Sequence, residues 1–314
     1  MNSPARGAPK TPFEELVIDV AGEEKHGHGS HWSIFSEDSR AVVKRLPEIV
    51  RQAKLAVTHA DNRSAKAYPM PATEPKSVLL SWPIPRFGLL VPIRVDDSTR
   101  TNEVASLYPW SSEGVQHTIR IEGIRLWNNR LEAQLDTVLL SSDRKEGMPI
   151  TFFDPLFCSN RVFYSKCDIY EFILTGFPYV LEIADPKPLI ITDPTQVRLM
   201  RQEMYPDDPA QRESIEPVTV ETGNMACFIQ REDFDRDDYE FQGPVKSVAE
   251  LHTEILGQKA WRVRVTISRL GDEEIDIDLC LTKRVLGEGK LPEIGDSVRG
   301  VLWLQGRLWR HLRQ

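Results

Sequence analysis

Cysteine is scarce in this chain. The four in its 314 residues, Cys158, Cys167, Cys227 and Cys280, include no C-x-x-C pair. That spacing excludes a compact thiolate metal knuckle and a dense disulfide framework. No apolar run approaches the roughly 20 residues of a membrane-spanning helix. The stretch after Met1 has none of the apolar character of a secretory signal. Reduced thiols in a cytoplasmic protein without membrane contact are therefore the expectation, and Asn62-Arg63-Ser64 is a chance match to a glycosylation acceptor.

The short motifs that would fix a reaction are also missing. The chain has no G-x-S-x-G elbow, no H-E-x-x-H pair and no G-x-G-x-x-G run. Gly287-Glu288-Gly289-Lys290 fails as a phosphate loop. Arg284 stands where its first glycine is needed, and Leu291 where Ser or Thr is needed. Asp233, Asp235 and Asp237 take the first carboxylate positions of a calcium loop, but Asp238 replaces its glycine and Pro244 its last glutamate. Positive charge is short as well. The net charge is −8, and residues 187–242 hold six Lys and Arg against thirteen Asp and Glu. Only residues 243–314, at a net +2, leave room for attraction to a phosphate backbone.

What is present is β pattern. Val298, Gly300, Leu302 and Leu304 alternate with Arg299, Val301, Trp303 and Gln305 after the turn at Gly295-Asp296, with Gly306 beyond. Glycines along such a strand suit the bends of a small barrel. Residues 118–124 and 131–137 alternate on either side of Asn128-Asn129, a hairpin signal, and Ile150–Phe153 and Asp168–Leu174 supply two more strands. Trp261–Ile267 and Ile275–Leu281 repeat that order around Gly271-Asp272. The fold class that follows is mainly β with some α: two small OB-like β-barrels and a partly helical N-terminal region. The divisions are a flexible arm (1–35), a helical segment with Pro47 and a linker (36–75), a first barrel (76–186), a helical and acidic connector (187–242) and a second barrel (243–314). Pro83 and Pro92 place the strands around 77–82 and 88–95 at sheet edges. Asp193-Pro194 predicts a capped helix through Met204.

Tyr108-Pro109-Trp110, Phe152-Phe153-Asp154 and Trp303-Leu304-Gln305-Gly306 together resemble a group of uncharacterised bacterial proteins over about the last two thirds of the chain. The resemblance implies no chemistry and carries over no functional residue.

Three places carry candidate chemistry. His26, His28 and His31, with Glu23 and Glu24, could hold a divalent metal, although the glycines between them favour a polar arm and no cofactor. The acidic strip 231–240, with Phe234 and Tyr239, is a solvated lead-in to the next strand or a dock for a basic partner. On the last strand Arg299, Trp303 and Arg307, with Trp309 beyond, form a binding surface in one of three ways. The N-terminal region or the neighbouring barrel covers it and makes Trp303 internal packing, a protein partner docks there, or single-stranded nucleic acid stacks there, in that order of preference. Arg262 and Arg264 fall opposite or diagonal to Asp276 and Asp278, which cancels positive potential on that face. Asp154 is a buried carboxylate or a turn starter, and the Asp-Pro sequence favours the turn. The reading that follows is a non-enzymatic binding or adaptor protein working through protein contacts. The alternatives are a single-stranded nucleic-acid binder using the second barrel and a metal-dependent enzyme using the histidine cluster.

Overall fold

The computed structural model describes residues 10–18, 28–29, 31–57, 67–71, 74–99, 101–166, 168–185 and 187–312. It is mainly β with some α, as the alternating patterns require. Strands β1 (Lys54–Leu55), β2 (Lys76–Ile84), β3 (Phe87–Asp96), β4 (Thr101–Val104) and β5 (Tyr108–Ser111) make one small antiparallel sheet. Strands β6 (Val115–Leu126), β7 (Ala133–Leu140), β8 (Gly147–Phe153) and β9 (Ile169–Ile183) follow. A two-stranded ribbon, β10 (Leu189–Ile191) with β11 (Val218–Val220), lies in the connector. The chain continues through β12 (Cys227–Gln230), β13 (Asp238–Ile255), β14 (Gln258–Leu270), β15 (Glu273–Thr282) and β16 (Ser297–Leu312).

The pairings close two five-stranded rings. In the first, β6, β7 and β8 pair in sequence, β16 joins β8 in parallel, and β9 pairs with both β16 and β6. In the second, β13, β14 and β15 pair in sequence, β9 joins β15 in parallel, and β16 pairs with both β9 and β13. Each ring has OB-like connectivity, with a short helix after its third strand: α4 (Phe157–Asn160) in the first and α7 (Lys283–Leu286) in the second. The barrels share two strands. The strand that comes fourth in one ring is the fifth of the other.

The antiparallel β9–β16 ribbon is therefore the spine of the molecule. It runs in register from Ile169↔Leu312 to Ile183↔Val298, with irregularities that leave Tyr179 and Trp309 as extra residues. Close approach along the spine requires glycine at two positions. A Cβ on Gly300 would lie 1.9 Å from the Val180 carbonyl oxygen, and one on Gly306 would lie 2.5 Å from the Phe152 ring. One face of the ribbon, with Phe172, Leu174, Leu181, Leu302, Leu304 and Leu308, joins the barrel interiors. Phe177 and Trp303 point the other way, into a second core shared with the small sheet. Burial on both faces is why a strand that alternates in sequence has almost no exposed residue between Leu302 and Leu308.

The N-terminal part differs from the arm expected over residues 1–35. Helix α1 (Pro12–Leu16) starts with a capping box in which Thr11 and Glu14 satisfy each other's backbone donors. It buries Phe13 and Leu16 in the barrel core. Residues 31–34 form a buried 3₁₀ turn. Pro47 divides the next apolar run into α2 (Ser39–Lys44) and α3 (Leu46–Gln52), because proline is accommodated in the first helical turn. Strand β3 is central rather than marginal. It pairs with β2 along its length, with β5 through Leu90 and with β4 from Ile93. Pro92 falls in the gap between the last two, where no ladder bond from its nitrogen is needed. The connector contains α5 (Pro194–Met204), with Asp193 accepting from the Thr195 and Gln196 amides as predicted, and a shorter α6 (Pro209–Glu213).

Because each ring borrows a strand from across the connector, neither half of the chain can complete a barrel alone. Cutting the backbone between α5 and α6 gives halves that, separately, expose the edges of β9 or β16. Coexpressed, the halves are expected to copurify as a 1:1 complex with a single cooperative melting transition. A half that melts cooperatively as a monomer would contradict the shared-strand account.

Candidate functional site

The densest set of polar side chains lies against the middle of the β9–β16 spine, under residues 28–29 and 31–34. His28 is surrounded by the rings of Tyr108, Trp127, Phe153 and Trp303, at centroid distances of 4.7 to 5.5 Å. Its Nε2 lies 2.6 Å from Glu132 Oε1, and its Nδ1 lies 2.8 Å from His31 Nδ1. Glu132 follows the turn after β6 and also accepts from the Asn129 amide. His31 stacks on Trp303 at 3.7 Å with planes 10° apart, and its Nε2 is buried without a hydrogen-bond partner. Burial, with His28 beside it, pushes the His31 pKa well below that of an ordinary histidine.

Proton positions follow from this chain of contacts. The Nδ1–Nδ1 contact needs one N–H and one lone pair, and the His28–Glu132 contact needs one N–H facing a carboxylate. One proton between the two Nδ1 atoms and one on His28 Nε2 facing Glu132 satisfy both contacts. With that shared proton in place, a second proton on His31 falls on its buried Nε2, which has no acceptor.

A pair of consecutive carboxyls lies at the indole edge of Trp303. Asp237 accepts from the Trp303 indole at 2.8 Å and from Gln134 Nε2 at 2.7 Å. Asp238 accepts from the Tyr179 hydroxyl at 2.9 Å. Tyr179 is the extra residue of the bulge in β9, and bulges re-aim side chains in this way. Burial, with the charges of Asp238 and Asp235 nearby, raises Asp237 to about 8, and burial with the charge of Asp235 raises Asp238 to about 7. A third carboxyl, Asp154, is raised to about 7 by burial even though it accepts from Tyr164 at 2.5 Å and from the Leu156 amide. It is thus both the buried carboxyl and the turn starter weighed from the sequence.

Several residues predicted from sequence are placed differently here. Trp303 and Arg307 are buried and form no outer surface. Trp303 is covered by His28 and His31 of the N-terminal region. Arg307 donates to the Ser112 carbonyl at 2.5 Å and lies 5.4 Å from the half-buried Trp309 ring. Arg299 stays exposed and pairs with Glu182 at 2.9 Å. His28 and His31 come together, and His26 lies outside the described residues. Both nitrogens of His28 face protein partners, and no three His, Cys, Asp or Glu side chains gather as a metal site among the described residues. The strip 231–240 is only partly solvated. Phe234 is exposed under Arg231, whereas Asp237, Asp238 and Tyr239 are buried because donors from β7, β9 and β16 meet the two carboxyls. Arg264 does pair with Asp278 across the strands, at 2.8 Å, but Asp278 and Thr266 are buried rather than facing outward.

Glu132, Gln134, Tyr179, Asp237 and Asp238 were missed as members of one cluster. Each lies in an alternating or acidic stretch that reads as solvated. The partners that bury them are remote, with 104 residues separating His28 from Glu132. As it stands the cluster can lock segments together and hold protons. It presents no paired acid and base around an open cleft among the described residues. No family model matches the chain, and neither a curated protein nor a solved structure does.

The three carboxyls bind protons in the folded chain that they release when unfolded, so between about pH 4 and 7 to 8 each lowers stability as pH rises. His31 and His117, both lowered mainly by burial, act in the opposite sense and cost stability as pH falls below about 6.5. Above about pH 6.5 an unfolded histidine is largely neutral and the carboxyls dominate, leaving a net decline on the order of 1 kcal/mol per pH unit from pH 6.5 to 7.5. Urea midpoints across that range check this. Asp237→Asn should flatten the profile, and a midpoint independent of pH would refute the assignment.

Proposed function

We propose that the protein is a non-enzymatic adaptor whose connector, residues 187–242, docks a basic partner segment that carries apolar side chains. One observation carries the reading. Nine of the sixteen large apolar side chains that are exposed among the described residues lie in this stretch of 56. Among them are Leu189 and Ile190 on β10, Leu199 and Met204 on α5, and Ile215 after α6. Concentrated exposed apolar area of this kind marks interaction sites.

The charge around it selects the partner. From residue 187 to 225, the same stretch carries seven exposed carboxylates (among them Asp207, Asp208, Glu213 and Glu216) against three exposed cations, Lys187, Arg198 and Arg212. Complementary charge speeds encounter and rejects acidic competitors more than it adds affinity. The platform itself is held from within. Arg201 is buried and donates to the Glu216 carbonyl and to Gln211, while Val197 and Val218 are buried beneath α5. The surface is therefore preformed, which reduces the ordering cost of binding.

Nucleic-acid binding through the second barrel has less support. Its aromatic, Trp303, is covered, and two of the arginines on that side, the half-buried Arg262 and the exposed Arg299, pair with Glu113 and Glu182.

Ile190→Glu with Leu199→Glu leaves the barrels untouched. Captured from cells that produce the protein, a partner crosslinked to residues 187–242 is expected for the unaltered chain. It should be reduced at least tenfold in the double variant and weakened by salt. Crosslinks that fall only on the barrels, or a partner retained by the double variant, would overturn the proposal.

A further inference from the structure

Residues 28–29 and 31–34 are attached to the barrels by two kinds of contact. At the downstream end the contacts do not change with protonation near neutrality. Thr282 donates to the Ile34 carbonyl at 2.6 Å, and Arg284 donates to the Ser33 carbonyl and pairs with Glu37 at 2.6 Å. Upstream, the Ile18 amide donates to the Ile124 carbonyl, next to the buried Leu16. Between these anchors Trp32 is buried in the second core and does not titrate, while the titratable contacts are the stacked His31, the His28–His31 bond and the His28–Glu132 pair.

We propose that His28 and His31 form a proton-operated clasp, closed over the aromatic floor of Trp303, Trp127, Tyr108 and Phe153 and opened when His31 takes up a second proton. The geometry carries the inference. The Nδ1–Nδ1 contact at 2.8 Å accommodates one proton only, and the unpartnered Nε2 of His31 finds no acceptor for another.

The groups facing the dyad cannot compensate for the added charge. Glu132, from the loop after β6, is already paired with His28. Tyr108 from β5 and Tyr179 from β9 are held neutral by burial. Asp237 and Asp238, at the start of β13, hold their protons up to about 8 and about 7 and are neutral in mild acid. Asn129 is uncharged. Acid therefore favours the carboxyl at the indole edge of Trp303 while disfavouring the imidazole stacked on its face.

The test follows the imidazole Cε1–H signals of His28 and His31 by NMR on the full-length protein from pH 8 to pH 5. An ordinary histidine at pH 5 is about thirtyfold more protonated than neutral. The closed population should thus fall by up to about 30-fold relative to the open one, with a protonated His31 signal growing in. The Trp303 indole N–H should exchange faster with solvent as this happens, while amide signals of β9 and β16 stay in place. His31→Phe, which can stack but cannot protonate, should stay closed at pH 5. Should that variant fail to dock, the titration of the unaltered protein still decides. The clasp is refuted if His31 remains in one unprotonated closed state down to pH 5. It is equally refuted if His31 titrates in place near 6.5, or if β9 and β16 melt together with the clasp.

Discussion

Everything in this molecule is positioned by the antiparallel pairing of β9 with β16. Because the two strands are long, one end of the ribbon completes one barrel and the other end completes the second. The middle belongs to both. A barrel built alone must close on its own edges, and edges are where sheets mispair. Here the narrowest closures are the parallel contacts of β8 with β16 and of β15 with β9, one and two residue pairs long. Such short ladders hold only because the antiparallel spine fixes both strands beforehand. The glycines at 300 and 306 let backbone and ring approach where a side chain would force them apart.

The site inherits its character from that arrangement. The midpoint of a shared ribbon faces away from both barrel interiors, so Phe177 and Trp303 need a second cover. The small sheet and residues 28–29 and 31–34 provide it. Polar groups brought under such a cover must find partners inside, because an unmatched buried carboxyl or imidazole costs more than a hydrogen bond returns. Hence the chain of contacts from Glu132 through His28 to His31, and the separate one through Asp237 and Gln134. Stacking fixes His31, and the bulge at Tyr179 aims a hydroxyl that strict alternation would have sent elsewhere.

Much of the fold was legible in the sequence because strand alternation and turn chemistry are local. The Gly271-Asp272 turn, the capped helix after Asp193 and the OB-like order of both rings follow from residues a few positions apart. The site was not legible, for the complementary reason. Alternation in β16 marks Arg299, Trp303, Gln305 and Arg307 as one face, but it says nothing of what lies against that face. The long β13 was hidden because it begins at Asp238 directly after Asp237, and two aspartates signal a loop unless donors from β9 and β16 reach them. The arm was read as loose because Gly27 and Gly29 outweighed the capping box at Thr11 and the apolar Trp32, Ile34 and Phe35 that anchor it.

Reciprocal strand sharing also sets a schedule for synthesis. Strands β6 to β9 leave the ribosome well before β16, yet their ring cannot close until β16 has been made. For the whole interval in which the connector and β13 to β15 are translated, the edges of β8 and β9 stand without a neighbour. Two barrels that share a spine must therefore be born together, and the first to be translated waits for the second.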